Sequence, residues 1–220
     1  MIKLKNVSFK YATQYVLDGL NLDIEPGDRI GLLGDNGSGK TTLCHIIMGL
    51  LTPESGDVEI FGKKRTKESD FEEIRGKIGF LFQDSDDQLF CPTVIEDVAF
   101  GPLNMGQSPD EAKRTVTSTL QLLKLSGFED RITYKLSGGE KRLVSLATVL
   151  AMKPDFLILD EPTTGLDVQT TERLVEFLRE SNLGYMIISH DRDFIKMTVD
   201  KLIEMKAGQI QAADLNSLEM

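Results

Sequence analysis

The sequence predicts an α/β domain that carries an all-helical insert. Three observations lead there. Alternating or short apolar stretches that read as strands occupy both ends of the chain. A glycine-rich turn joins one of those strands directly to a helical repeat. Between Pro109 and Met152 the apolar spacing is helical.

The elements follow in order. Ile2–Phe9 and Val16–Ile24 alternate apolar and polar side chains, as half-buried strands do. Pro26-Gly27-Asp28 reads as a turn, and Arg29-Ile30-Gly31-Leu32-Leu33 as a short strand buried on both faces. Thr41–Leu51 has helical spacing and closes near Pro53, and Val58–Phe61 and Ile78–Phe82 read as further strands. Ser108-Pro109-Asp110 starts an amphipathic helix that runs to Leu125 with Ala112, Val116, Leu120 and Leu123 on its apolar side. A second helix is expected from about Ser137 to Met152. Strand Phe156–Leu159, helix Val168–Arg179, strand Tyr185–Ser189, a short helix after Asp191 and a final pair near Leu202–Lys206 and Gln209–Ala212 complete the chain. The expected organisation is one domain over residues 1–220, with its core at about 1–85 and 154–220 and the helical part at about 86–153.

Composition bounds the function classes. With 220 residues, 40% of them hydrophobic, the chain can bury a core without metal or disulfide staples. Cys44 and Cys91 have no paired spacing, which argues against a disulfide framework or a zinc site and for a reducing compartment. The opening Met1-Ile2-Lys3-Leu4-Lys5 alternates charge and builds no signal-peptide core. Apolar runs such as Phe156–Leu159 and Tyr185–Ile188 are far shorter than the roughly 20 residues of a membrane helix. The formal net charge is −10, and the one dense basic cluster, Lys63-Lys64-Arg65 with Lys67, is short, followed at once by acids, and reads as a solvated turn. Nucleic acid is therefore not expected as a partner.

A bound nucleotide needs only a local site, and the sequence contains one. Gly34-Asp35-Asn36-Gly37-Ser38-Gly39-Lys40-Thr41 fits GxxxxGK[ST] between an apolar strand and a helix. Glycines let the backbone curl so that N–H groups point at phosphate oxygens, and the helix adds its positive end. Lys40 places a cation on the β and γ oxygens, and Thr41 offers a hydroxyl to Mg²⁺. Asp160, at the end of strand Phe156–Leu159, is suited to the metal's water shell, and Glu161 beside it to accepting a proton from attacking water.

Leu136-Ser137-Gly138-Gly139-Glu140, opening a helix between the phosphate loop and the Asp160 strand, resembles the LSGGQ signature of ATP-binding cassette (ABC) ATPases. Tyr11 resembles the aromatic residue that stacks on adenine, and Gln83 the Q-loop glutamine. Thr164-Gly165-Leu166-Asp167 resembles the D-loop, and His190 in Ile188-Ser189-His190-Asp191 the switch histidine. The resemblance implies a P-loop NTPase core with an N-terminal antiparallel β-subdomain and an inserted helical subdomain. It implies ATP and Mg²⁺ as cofactors. Tyr11 and the loop residues Gly34, Asp35, Asn36, Gly37, Ser38, Gly39, Lys40, Thr41 and Thr42 would hold ATP, with Thr41, Gln83 and Asp160 at the metal. Glu161 would be the general base, His190 would hold the γ-phosphate, and Gln83 would also report nucleotide state. Ser137, Gly138 and Gly139 would close the site from a second ATPase subunit, identical or related, with Asp167 bridging the dimer.

The stretch Asp87–Val94 followed by Glu96–Asn104 resembles the ATPase subunits of energy-coupling-factor importers, including the cobalt and nickel type. That resemblance implies import of a metal ion or vitamin through separate transmembrane subunits, and a peripheral place on the cytoplasmic face of the membrane. An exporter ATPase is the main alternative, since direction is not written in the motor motifs. A soluble ABC ATPase acting on nucleic acid fits the acidic balance poorly, and a metabolic kinase leaves Ser137-Gly138-Gly139 and His190 without a role. Glu140 stands where glutamine is commoner, so it is expected to point away from the γ-phosphate. Of Leu89, Phe90, Val94, Val98 and Phe100, about half are expected in the core and the rest in a groove for a transmembrane partner. His45, Cys44, Met48, Met152 and Met186 read as packing residues.

Overall fold

A computed structural model describes residues 1–219. The chain begins with β1 (Ile2–Tyr11) and β2 (Gln14–Ile24), an antiparallel pair. In β1 the buried residues are Ile2, Leu4, Val7 and Phe9. The alternation slips by one at Asn6, whose φ of 51° accompanies a register shift between Leu4 and Val7. The slip behaves as a bulge that returns Val7 to the buried face. With β4 (Ser55–Ile60) and β5 (Lys63–Lys64) these strands form a four-stranded antiparallel sheet ordered β2-β1-β4-β5.

A second, six-stranded sheet is built from β3 (Arg29–Leu33), β6 (Ile78–Leu81), β7 (Phe156–Asp160), β8 (Gly184–Ile188), β9 (Lys201–Lys206) and β10 (Gln209–Ala213), ordered β10-β9-β3-β8-β7-β6. Its β9-β3-β8-β7-β6 portion is parallel, with β10 antiparallel at one edge. β6, β7 and β8 are buried at every position, which explains their continuous apolar runs. Their side chains still divide with period two. Phe156, Ile158, Met186 and Ile188 face a core shared with the antiparallel sheet and α1 (Lys40–Ile47), while Leu157, Leu159, Tyr185 and Ile187 face the other helices.

That second layer holds α3 (Val94–Asn104), α4 (Pro109–Leu122), α5 (Gly138–Leu150), α6 (Val168–Glu180) and α7 (Arg192–Thr198). The start of α4 matches the sequence expectation: Ser108 Oγ accepts from Glu111 N at 3.4 Å while Glu111 Oε2 accepts from Ser108 N at 2.9 Å, a reciprocal cap. Helix α3 is not foreseen, because Gly101-Pro102 lies inside it and reads as a break. The signal for it is Thr93-x-x-Glu96, where Glu96 accepts from Thr93 N at 3.0 Å. Gly101 is needed for close packing, since a Cβ there would lie 2.6 Å from Met152 Cγ. A short α2 (Glu72–Lys77), also unforeseen, leads into β6.

Helix α1 ends at Ile47, earlier than the expected Leu51. Gly49 adopts a φ of +68°, and Leu50 N and Leu51 N both turn back onto His45 O at 2.8 and 3.3 Å. A Cβ on Gly49 would sit 2.2 Å from Phe71 Cγ. Gly49→Ala combines left-handed strain with overpacking and should destabilise the fold by about 2–4 kcal/mol. A denaturant midpoint equal to that of the unaltered chain would refute this reading of the turn.

The parallel register brings the C-terminal ends of β3, β6, β7 and β8 to one rim: Leu32 pairs Ile188, Asp160 pairs Ile188, and Leu81 pairs Leu159. Ligands of open α/β sheets sit at such a rim. Among the described residues, no helix is long and apolar enough to cross a membrane.

Candidate functional site

The loop after β3 is shaped by glycines at positive φ. Gly34 has a φ of +145°, and a Cβ there would lie 2.5 Å from Met205 O. Gly39, at φ +112°, would meet Leu17 Cδ2 at 2.9 Å and Val16 O at 3.0 Å, whereas Gly37, at φ +79°, borders open space. The loop is thus pressed against β2 and β9 on one side and concave on the other. Gly39 caps α1 without a side-chain bond, so the first backbone N–H groups of the helix are free for an anion. Ser38 Oγ is buried without a partner. Lys40 Nζ arches over the loop and donates to Gly34 O at 2.7 Å and Asp35 O at 2.9 Å. A cradle of N–H groups, an orphaned hydroxyl and a cation fit a polyphosphate.

Above the loop lies a cleft of about 730 Å³ lined by Tyr11, Asn36, Gly37, Gly39, Lys40, Thr41, Thr42, Gln83, Asp160, Glu161 and His190. Tyr11 is 52% exposed at its mouth, with its ring edge-on to Phe9 at 5.0 Å, leaving a face free for a flat base. Asp160 is nearly buried at the end of β7. Burial, with Glu161 beside it, pushes its carboxyl up to about 6, against the pull of Arg142 and Lys40. One carboxylate, the Thr41 hydroxyl and the Gln83 amide make a sparse, all-oxygen donor set, which fits Mg²⁺ retaining most of its waters.

Glu161 has a φ of +48°, a left-handed conformation held by Glu161 N donating to Ile188 O at 2.8 Å. This turns its carboxylate across to the end of β8. There Oε2 accepts from Ser189 Oγ at 3.3 Å and His190 N at 3.4 Å, and Oε1 lies 3.5 Å from His190 Nε2. Two groups assigned separate tasks from sequence therefore stand in contact. His45, behind the loop, has its ring edge-on to Phe80 at 6.2 Å, and burial lowers its imidazole pKa. Cys44 is fully buried.

Ser137, Gly138, Gly139 and Asp167 do not line the cleft of their own chain. Ser137 and Asp167 cap α5 and α6, accepting from Glu140 N at 3.3 Å and Thr170 N at 2.7 Å. The two motifs are adjacent, since a Cβ on Gly139 would lie 3.4 Å from Gly165 O. Glu140 folds back on the cap: Oε2 accepts from Ser137 N at 2.8 Å, and Oε1 accepts from Arg131 Nη1 at 2.8 Å, with Arg131 stacked on Phe128 at 3.6 Å. The Ser137 N–H above all, aided by Arg131, holds the Glu140 carboxyl below its usual range. The extra negative charge is neutralised locally, and the Gly138 and Gly139 N–H groups remain as donors at the helix start.

Sequence reading misses Arg142 and Gln88. Arg142 is 3% exposed and donates to backbone carbonyls on both sides of the cleft floor. Gln88 Oε1 accepts from Phe82 N at 3.2 Å, and its Nε2 donates to Ser145 O and Thr148 Oγ1, each at 2.9 Å. A basic residue next to Lys141 reads as a solvated face, and nothing in the side-chain pattern marks a contact made to carbonyls.

Residues 17–164 match the ABC transporter family. A putative ABC transporter ATP-binding protein of Nitratidesulfovibrio vulgaris is 51% identical over 210 residues, covering 94% of this chain and 77% of the relative. The energy-coupling factor transporter ATP-binding protein EcfA of Methanothermobacter thermautotrophicus is 42% identical over 217 residues, covering 96% and 70%. Among solved structures, cbiO1 from Clostridium perfringens, described as part of the ABC transporter complex cbiONQ, superposes with a TM-score of 0.85 at 34% identity, covering 96% of this chain and 86% of that one. The dimeric ATP-binding cassette MJ0796, in a post-hydrolysis state bound to ADP and Pi, gives a TM-score of 0.88 at 30% identity, covering 98% and 99%.

Proposed function

The chain belongs to the ATP-hydrolysing family of ABC transporters, and from that premise we propose that it powers import of a small solute, a metal ion or vitamin, through separate transmembrane subunits. The observation that carries the catalytic part is the meeting of Lys40, Thr41, Gln83, Asp160, Glu161 and His190 in one cleft at the rim of the parallel sheet. Import is supported by the likeness to EcfA and to cbiO1.

In this reading Tyr11 stacks on adenine, while Lys40 and the N–H groups of residues 34–42 hold the phosphates. Thr41, Asp160 and Gln83 would hold Mg²⁺, which would supply charge neutralisation to the triphosphate. Glu161 accepts a proton from water as the water oxygen bonds to the γ-phosphorus. The bond from that phosphorus to the β–γ bridging oxygen breaks, and ADP and phosphate remain. His190, fixed against Glu161, donates a hydrogen bond to the γ-phosphate. The helix start at Ser137–Gly139 on a second ATPase subunit closes the cleft, with Asp167 bridging between subunits. Residues at about 1–85 and 154–220 act as the catalytic core, and about 86–153 as the helical part that moves against it. Loss of γ-phosphate contacts opens the pair, and Gln83 passes that change to the helical part. The complex sits on the cytoplasmic face of the membrane.

The docking face for the transmembrane subunit is a groove of about 310 Å³ whose lining includes Leu50, Phe82, Phe90, Phe100 and Met152. Val94 and Val98 are fully buried and Leu89 is partly buried against the same core. Phe90 is 67% and Phe100 49% exposed, their rings edge-on at 4.9 Å. An amphipathic helix laid there would cover both rings. Phe90→Asp tests the groove with little cost to the fold, whereas Leu89→Asp would disturb packing. Phe90→Asp should abolish co-purification with the transmembrane subunits and solute uptake while ATP binding by the isolated chain is unchanged. Normal assembly and uptake would place the docking face elsewhere. Release of a preloaded labelled solute from vesicles containing the complete transporter, driven by ATP on the outer, cytoplasmic side, tests import itself. Movement of solute the other way would make it an exporter.

A further inference from the structure

Helix α5 is tied to the cleft by one buried guanidinium that reaches two separate chain segments. Arg142 Nη1 donates to the carbonyls of Phe82 and Gln83, the latter at 3.1 Å. Nη2 donates to the carbonyls of Asp160 and Glu161, the latter at 2.7 Å, and Nε to that of Pro162 at 3.4 Å. The pairing of β6 with β7 ends at Leu81 and Leu159, so beyond those residues no ladder bond holds the two segments together. Arg142 bridges the chain where the ladder stops.

The chemistry of the link is specific. Only a guanidinium offers N–H donors in a rigid plane wide enough to serve carbonyls on two strands at once. Burial lowers the Arg142 pKa to about 10, which leaves it charged at neutral pH beside the carboxylates of Asp160 and Glu161. A buried cation is expensive unless it is fully hydrogen-bonded, and here five carbonyls satisfy it. Gln88 and the Lys141–Asp86 ion pair also join α5 to the segment after β6, but neither touches β7 or the residues that follow it.

We propose that Arg142 is a positioning residue for hydrolysis: it fixes the backbone of Gln83 relative to that of Asp160 and Glu161, and so sets the spacing across the cleft between the glutamine amide and the two carboxylates. Because α5 begins at the Gly138–Gly139 turn, the same link couples that turn to the cleft floor. The inference rests on the ATPase reading above and adds a residue that does not itself line the cleft.

The test compares Arg142→Lys, Arg142→Gln and Lys141→Ala in the full chain, with kcat and KM for Mg-ATP, equilibrium binding of ATP without Mg²⁺, and thermal melting. Lysine keeps the charge but gathers its donors on one nitrogen, which cannot span both segments. Arg142→Lys should lower kcat by about 10- to 100-fold, as misplacement of reacting groups by about 1 Å does, with KM and ATP binding near those of the unaltered chain and a lower melting temperature from the carbonyls left unpaired. Arg142→Gln should lower kcat at least as far, and Lys141→Ala should leave kcat unchanged. An Arg142→Lys chain with normal kcat overturns the proposal. So does one in which kcat, ATP binding and melting fall together, because that is the mark of a merely structural residue. An unaltered chain that fails to hydrolyse Mg-ATP overturns the ATPase reading itself, an outcome distinct from either.

Discussion

Glu161→Gln should slow Mg-ATP hydrolysis by about 10²- to 10⁴-fold while leaving ATP binding intact. The amide matches the carboxylate in size and can still accept from Ser189 Oγ and His190 N, at the 3.3 and 3.4 Å seen for the glutamate, so the turn at φ +48° should survive. What the amide cannot do is take a proton from water. The expected signature is therefore a collapse in kcat with little change in KM or in the melting temperature. A variant that hydrolyses ATP at the unaltered rate would remove Glu161 from the role of base. Attention would then pass to Asp160, whose buried carboxyl titrates near 6.

Lys40→Ala should weaken ATP binding and reduce kcat/KM by about 10²- to 10³-fold, the scale of losing one charge-assisted contact to phosphate in a partly enclosed site. The lysine is pre-positioned, with its ammonium 2.7 and 2.9 Å from the carbonyls of Gly34 and Asp35. These bonds hold the charge over the concave side of the loop, so removal costs binding more than fold stability. Isothermal titration with ATP and a thermal melt separate the two. Near-normal affinity and turnover in Lys40→Ala would mean that the loop does not hold the phosphates.

Much of the site was legible because its chemistry constrains local sequence. The phosphate loop needs glycine where φ is positive or a Cβ would strike β9, as at Gly34, and that requirement is visible as spacing. The Asp160-Glu161 pair stands at the end of a strand whose apolar run is unbroken. The illegible parts are those created by tertiary contact. Helix α3 carries Gly101-Pro102 inside it, and only packing against Met152 explains the glycine. The contact of Glu161 with His190 depends on the register of β7 with β8, which no local pattern encodes. Arg142 acts on carbonyl oxygens, and every residue has one. Glu140 was expected to turn away from the phosphate. In the fold its carboxylate bends back onto the Ser137 cap and Arg131, and Arg131 comes from a separate loop and had no sequence signal.

The central proposal is that ATP fills the cleft of one subunit and is closed in by the Ser137–Gly139 turn of another. The most direct measurement is the light-scattering mass of Glu161→Gln, with bound nucleotide counted in the same peak, in Mg-ATP and without nucleotide. A mass of twice 24.5 kDa carrying two ATP in Mg-ATP, and 24.5 kDa without it, is the expected result for a homodimer; if the natural partner is a related ATPase, the same doubling should appear when that subunit is added. A chain that binds ATP tightly yet stays at 24.5 kDa under every condition, with the related subunit present, would contradict the shared site.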